Sequence, residues 1–403
     1  MPARIPELTM GPCRDFGEPG LEEIARLPVP SVMPEHVKHL AAGLAADGVI
    51  DRGEALYLAE LVDRLAVAPG YVRFLDADKK REVAIRLYDL SMKLSLSAHP
   101  LRDEALLSIG IILFNLSPSE KLVGRLAAMR PEKGPLRYEF HSMMALNLLL
   151  LERLDEAGAH ADEALESAPD GEQLAYMRML KGCVALRRGD PESAIGLLDG
   201  PGKSGRLRTL AAFYSGIVHY EKEDFEGALR HFESAREGAA GTLDTLSVRC
   251  NVGACAVYLG DLDRAESEFR EVSRSTWKNT GGRELYRKLL ADSYLGIISR
   301  ERADYREAEM YYKEALKASI RQKNVVGIAN HVGNLGLLCR HAGDHAGAVR
   351  LLNSCLLYSE RMGYWNGIRF SYENVFGVLT DMGQTPEARK LKDMYTSRYP
   401  GLI

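Results

Sequence analysis

Apolar and small residues recur at helical spacing through most of this chain. The clearest segment is "ADYREAEMYYKEA", where Tyr305, Ala308, Tyr312 and Ala315 fall three or four residues apart. The same block returns along the sequence. "GDPESAIGLL", "EDFEGALRHF", "GDLDRAESEF", "ADYREAEMYY" and "GDHAGAVRLL" align on Ala194, Ala228, Ala265, Ala308 and Ala348, and the weaker "ERLDEAGAHA" and "MGQTPEARKL" add Ala157 and Ala388. Successive spacings are 37, 34, 37, 43, 40 and 40 residues, the range of helical-repeat arrays. Twelve residues before each Ala stands a small residue: Ala145, Gly182, Gly216, Gly253, Gly296 and Gly336. In the last unit the glycine slips by one, to Gly377. Gly110 precedes Ala145 by 35 residues, and Leu122 then takes the Ala place, which marks a degenerate further unit. Each unit predicts two helices joined by a short Gly/Asp turn. Residues 99–403 are thereby assigned to the repeats.

Three further helical patterns, about Glu35–Ala46, Arg52–Ala66 and Ala77–Leu96, precede them. Residues 35–98 read as a helical cap on the open end of the array. Seven of the 17 prolines lie before residue 35, so residues 1–34 read as an extended arm. Within the cap, "ADGVIDRGEALYL" has the outline of half an EF-hand loop, but Gly43 and Ala45 stand where two carboxylate ligands belong. A helix–turn–helix with Asp51 as N-cap is the better reading.

This pattern resembles the tetratricopeptide repeat, a pair of antiparallel helices. Small residues at positions 8 and 20, Gly at 15 and an aromatic near 17 fall in step. The longer units, with Asn251, Asn334 and Asn374 two or three residues before the glycine, resemble those of kinesin light chains, Leu-Gly-Asn repeat proteins and Rap-type regulators. The resemblance implies an all-α fold, an α-solenoid of seven to eight helix pairs wound as a right-handed superhelix. Positions 8 and 20 are expected to cross closely, so that Gly296→Leu would collide with Ala308.

Composition narrows the function. The chain has 403 residues, 46% of them apolar, and a net charge of −4 with no basic excess, which argues against a nucleic-acid partner. No secretory signal opens the sequence, and the longest apolar run, Leu106–Leu116, is too short to span a bilayer. A cytoplasmic protein without membrane insertion is expected. Six cysteines show neither C-x-x-C nor zinc spacing, so free thiols are expected and no metal. "GLLDGPGKS" ends like a phosphate-binding loop, but Gly196 is one residue too early and the flanking segments are helical. It reads as a loop between repeats. With no nucleophile–base pair in sight, no enzymatic activity and no cofactor are expected.

Function is then expected on the first helices of the pairs. In tetratricopeptide arrays these line the concave surface, with positions 2, 5, 6, 9, 12 and 13 facing inward. That register selects an apolar set, Tyr176, Met179, Phe213, Ile217 and Tyr220, and a polar set, Asn251, Tyr294, Arg300, Asn330, Asn334, Arg340 and Asn374. The apolar set fits either core packing or a pocket for apolar anchors. The polar set is expected to be partly exposed and to present amide and guanidinium groups to a peptide backbone or carboxylate. Asn at this position contacts peptides in the longer-repeat families. The chaperone-tail carboxylate clamp is not present. Two functions follow: an interaction scaffold for a peptide or protein segment, or a peptide-responsive regulator of Rap-like architecture whose N-terminal helices move on binding. A second copy of the chain counts among the candidate partners.

Overall fold

The computed structural model describes residues 34–67, 77–116, 119–127, 129, 135–168, 170–198, 205–238, 245–275 and 282–400. The arm, Cys13 and the Lys203–Ser204 loop fall outside these residues. The described residues contain 19 helices and no strand. Three come first: α1 (Pro34–Ala46), α2 (Arg52–Val67) and α3 (Ala77–Ser95). Eight pairs follow: α4 (Arg102–Leu116) with α5 (Glu120–Leu126), α6 (Pro135–Leu150) with α7 (Leu154–Ser167), α8 (Gly171–Arg187) with α9 (Pro191–Leu198), and α10 (Gly205–Glu221) with α11 (Phe225–Gly238). Then come α12 (Thr245–Leu259) with α13 (Leu262–Ser275), α14 (Gly282–Glu301) with α15 (Tyr305–Arg321), α16 (Val325–His341) with α17 (His345–Met362), and α18 (Trp365–Asp381) with α19 (Thr385–Arg398). The described residues form two compact units that divide between Val218 and His219, inside α10.

In the first unit the half-EF-hand stretch is a capped turn. Gly48 takes φ +70°. The Asp51 N–H donates to Glu54 Oε2 at 2.9 Å, and the Glu54 N–H donates to Asp51 Oδ1 at 2.8 Å. This reciprocal capping box satisfies two of the free donors at the start of α2.

The turns inside the pairs follow one recipe. In seven pairs a residue in the left-handed region closes the first helix; in five of them the Asp that follows caps the second, whereas Arg153 and Gln384 hold that place without a side-chain cap bond. Gly189, Gly260 and Gly343 take φ of +77°, +81° and +77°, and Asp190, Asp261 and Asp344 accept from Ser193, Arg264 and Gly347 at 3.1, 3.1 and 2.8 Å. Glu152, Glu223 and Ala303 occupy the same place with φ near +60°, although side-chain-bearing residues are disfavoured there by roughly 1–2 kcal/mol.

Glycine at position 8 brings the paired helices together, but against a different partner from the one expected. A Cβ on Gly296 would lie 2.5 Å from the Tyr312 ring. Ala308 is not the obstacle. The residue sixteen positions after the glycine is, and it recurs: Leu126 for Gly110, Leu198 for Gly182, Phe269 for Gly253 and Leu352 for Gly336. A large apolar side chain from the second helix fills the notch that the missing Cβ leaves, which buries more area than two small residues in contact would. The Gly110–Leu126 contact confirms the degenerate first pair.

Ion pairs stitch successive repeats within each unit. In the first unit Arg153 reaches Glu120, and Arg187 reaches Glu152. In the second, Arg302 reaches Asp263 and Glu266, and Glu268 accepts from Arg236 of the preceding pair at 2.6 Å and from Arg249 of its own pair at 2.8 Å. Most are exposed, and such pairs add about 0–1 kcal/mol each. Glu268 is buried, so losing either arginine would leave its carboxylate short of a partner.

Candidate functional site on the first helices

The polar set departs from the partial exposure expected of it. Asn251, Tyr294, Asn330 and Asn334 are at most 1% exposed, and Asn374 is 9% exposed. The reason is packing: first helices lie directly against one another, α12 on α14 and α16 on α18, so position 2 and position 6 side chains fall between helices. Buried amides must be hydrogen-bonded. Burial pushes the Tyr364 phenol, at the start of α18, up to about 12, and the Asn330 amide opposes that shift; Asn251 and Asn334 also have interaction partners. The apolar set is buried as well. Tyr176, Met179, Phe213 and Ile217 are core residues of the first unit, at 2% exposure or less. Tyr220 belongs to the core of the second, where its ring meets those of Phe225 and Tyr258 edge-on. None of the five offers an open pocket for an anchor.

Some of the predicted residues do meet. The hydroxyls of Tyr220 and Tyr294 lie 3.1 Å apart although the residues are separated by 74 positions. Burial holds both phenols well above their usual range, so they pair as neutral groups. The second meeting is Arg340 with Asn374. Arg340 Nε donates to Asp381 Oδ2 at 2.7 Å, and its Nη1 donates to Asn374 Oδ1 at 3.5 Å. The Asn374 amide donates in turn to the Phe370 carbonyl at 2.9 Å, which turns its oxygen toward the arginine. The hydrogen bond from Arg340 keeps the Asp381 carboxyl below the usual carboxylate range.

Gly377 makes this arrangement fit. A Cβ there would lie 2.3 Å from Arg340 Nη1. The glycine that slips by one residue in the last unit therefore does not receive a side chain from its own second helix. It lets the guanidinium of the preceding unit lie against α18. Beside it, His341 stacks on the exposed ring of Tyr305 at 5.7 Å and 10°. Burial lowers the His341 pKa, and Arg300 and Arg340 lower it further. Arg300 is paired with Glu301. Sequence reasoning missed Gly377, Asp381 and Tyr305 as parts of this site. The slip of the glycine was the available signal.

The remaining chemistry is quiet. The Cys183, Cys250, Cys255 and Cys355 thiols are free and buried, and burial pushes Cys183 and Cys255 up to about 12. Those two are thiols, not thiolates, at neutral pH. Among the described residues no group of three or more His, Cys, Asp or Glu could hold a metal ion, and no helix is long and apolar enough to cross a membrane.

No protein-family model and no curated protein matches the chain. Solved structures do. RapI in its apo form is similar with a TM-score of 0.53 at 12% identity, over 64% of this chain and 96% of that one. A chain of the APC/C hetero-tetramer Cut9–Hcn1 is similar with a TM-score of 0.50 at 15% identity, over 87% of this chain and 61% of that one. At these identities the likeness is one of fold. The chain has the tetratricopeptide helix-pair repeat fold, shared with Rap-type proteins.

Proposed function

We propose that this protein is a non-enzymatic interaction scaffold that binds a peptide or protein segment on the first helices of its second unit. Arg340 is the central contact. The supporting observation is the fixing of its guanidinium by Asp381, Asn374 and the notch at Gly377. An arginine held in place loses little side-chain freedom when a partner binds, and its fork matches a carboxylate or a backbone carbonyl. Its side chain remains 28% exposed, so it is accessible where the asparagines are not. Tyr305 and His341 extend the same surface, and Asn374 supports it from beneath. The similar Cut9–Hcn1 structure is a hetero-tetramer. The test is capture of partners from a lysate of the native host, with bound protein identified by mass spectrometry. Wild type retains a partner that Arg340→Ala loses by about tenfold, the effect of one charged hydrogen bond. Equal retention by a folded Arg340→Ala variant places the binding surface elsewhere.

A further inference from the structure

His341 is the last residue of α16 and follows Arg340 directly. It is exposed, and its imidazole lies along the exposed Tyr305 ring of α15. Charged groups act on it from three helices. Arg300 of α14 and Arg340 of its own helix oppose a proton on the ring, and Asp381 of α18 favours one. His345 of α17 acts on the same Asp381. Burial, then Arg300, then Arg340 hold the His341 pKa below its usual value, so the ring is largely uncharged at neutral pH.

The charges beside the ring balance. Arg300 pairs with Glu301, and Arg340 pairs with Asp381 at 2.7 Å. While His341 is neutral, an arriving anion meets two cations that each have a carboxylate partner. One proton on His341 tips this surface to positive, beside the guanidinium that holds the partner. The place suits a proton. A helix C-terminus carries the negative end of the macrodipole, and the face of a tyrosine attracts a cation. Arg340 also has donors for an anion. Asp381 and Asn374 engage its Nε and Nη1, which leaves Nη2 to a partner. A carboxylate there cancels the repulsion with which Arg340 opposes the proton. Proton and carboxylate then favour each other by the same factor, because coupling between two binding events is reciprocal. A neutral backbone carbonyl in that position brings no such coupling.

We infer that His341 gates the Arg340 site through its proton: the surface holds a carboxylate of the partner more tightly when the imidazole is charged than when it is neutral. The coupling rests on Arg340 being the partner contact. Affinity then rises as pH falls through the His341 titration and levels off below it. Asp381, held below the usual carboxylate range by Arg340, stays ionised meanwhile.

The test follows the His341 Cε1–H resonance of the full chain by NMR, assigned through His341→Gln, at low ionic strength because salt screens such contacts. Probe binding is read separately, by saturation transfer to the acetyl methyl of each probe. N-acetylglycine carries a chain-terminal carboxylate, N-acetylaspartate-N-methylamide carries one on a side chain, and N-acetylglycinamide carries none. A carboxylate probe binds about threefold tighter at pH ~5 than at pH ~8 and raises the His341 midpoint by about half a pH unit, which is the same factor read twice. The carboxylate probe with the larger response shows whether a chain end or an acidic side chain is the source. The amide does neither. Without a probe, Arg340→Ala raises the His341 midpoint, because one repelling charge is gone, and it removes the response to both carboxylates. His341→Gln, at an exposed position, folds and binds the carboxylates equally at both pH values. Wild type that binds them equally at both pH values overturns the inference and leaves Arg340 as the contact. A pH dependence that survives in His341→Gln overturns it too and moves the proton to another group. Carboxylates that bind at neither pH also overturn it, and capture of the host partner by Arg340→Ala then decides the role of Arg340 separately.

Discussion

The pairs α14/α15 and α18/α19 carry nearly the same first-helix glycine and use it differently. In α14 the missing Cβ of Gly296 admits the Tyr312 ring from the second helix of its own pair. In α18 the glycine stands one position later, about 100° further round the helix. There it admits the Arg340 guanidinium from the preceding unit. The first arrangement is closed and apolar and belongs to the core. The second is polar, partly open and held by Asp381 and Asn374. A one-residue shift in register thus converts a packing contact within a pair into a seat for a charged group between pairs. The repeat pattern alone would score the shift as a defect.

The largest effect expected from breaking this contrast is in Gly296→Leu. A side chain there meets a fully buried tyrosine, and overpacking costs about 1–3 kcal/mol or more. Repeats couple chiefly to their neighbours. Hydrogen exchange should therefore loosen across residues 284–340 first, and uniform protection there would contradict the register. Next comes Arg340→Ala. It should weaken partner binding by about tenfold, or roughly 1.4 kcal/mol, while the midpoint of urea unfolding stays close to wild type. Gly377→Ala is smaller still in stability. The obstructing atoms are the end of a flexible arginine, which can move aside, and Ala is favoured over Gly within a helix by about 1 kcal/mol. Equilibrium unfolding should show it unchanged or stabilised by up to about 1 kcal/mol, whereas Gly296→Ala, whose new methyl meets an aromatic ring, should be destabilised. The smallest change is Ala303→Gly. It relieves the left-handed residue at φ +63°, against the greater chain freedom of Gly in the unfolded state, for a net gain of about 0.5 kcal/mol in thermal unfolding.

Much of this architecture was legible because helix pairing leaves a periodic trace. The Ala and Gly positions located all eight pairs, including the degenerate one at Gly110 and Leu122. The three N-terminal helices emerged within a residue or two of their observed ends. What the repeat could not convey was depth. Position 6 faces inward in a repeat template, but whether Asn251 or Asn334 meets solvent depends on how closely neighbouring first helices lie, and that is set by side chains far apart in sequence. Tyr220 and Tyr294 show the same limit. One was assigned to an apolar set and the other to a polar one, yet their hydroxyls meet across 74 residues. The partner of Gly296 was misread for a related reason. Small residues at positions 8 and 20 suggested direct contact, but the long side chain one turn further on, Tyr312, occupies the space.

Arg340 acts through its fixed position, and Gly377→Ala tests this most directly because it keeps the arginine and removes only its seat. The measurement is quantitative capture of the host partner by wild type and Gly377→Ala, both shown to be folded by their unfolding curves. The account predicts reduced capture by the variant at undiminished stability. Capture equal to wild type would contradict it.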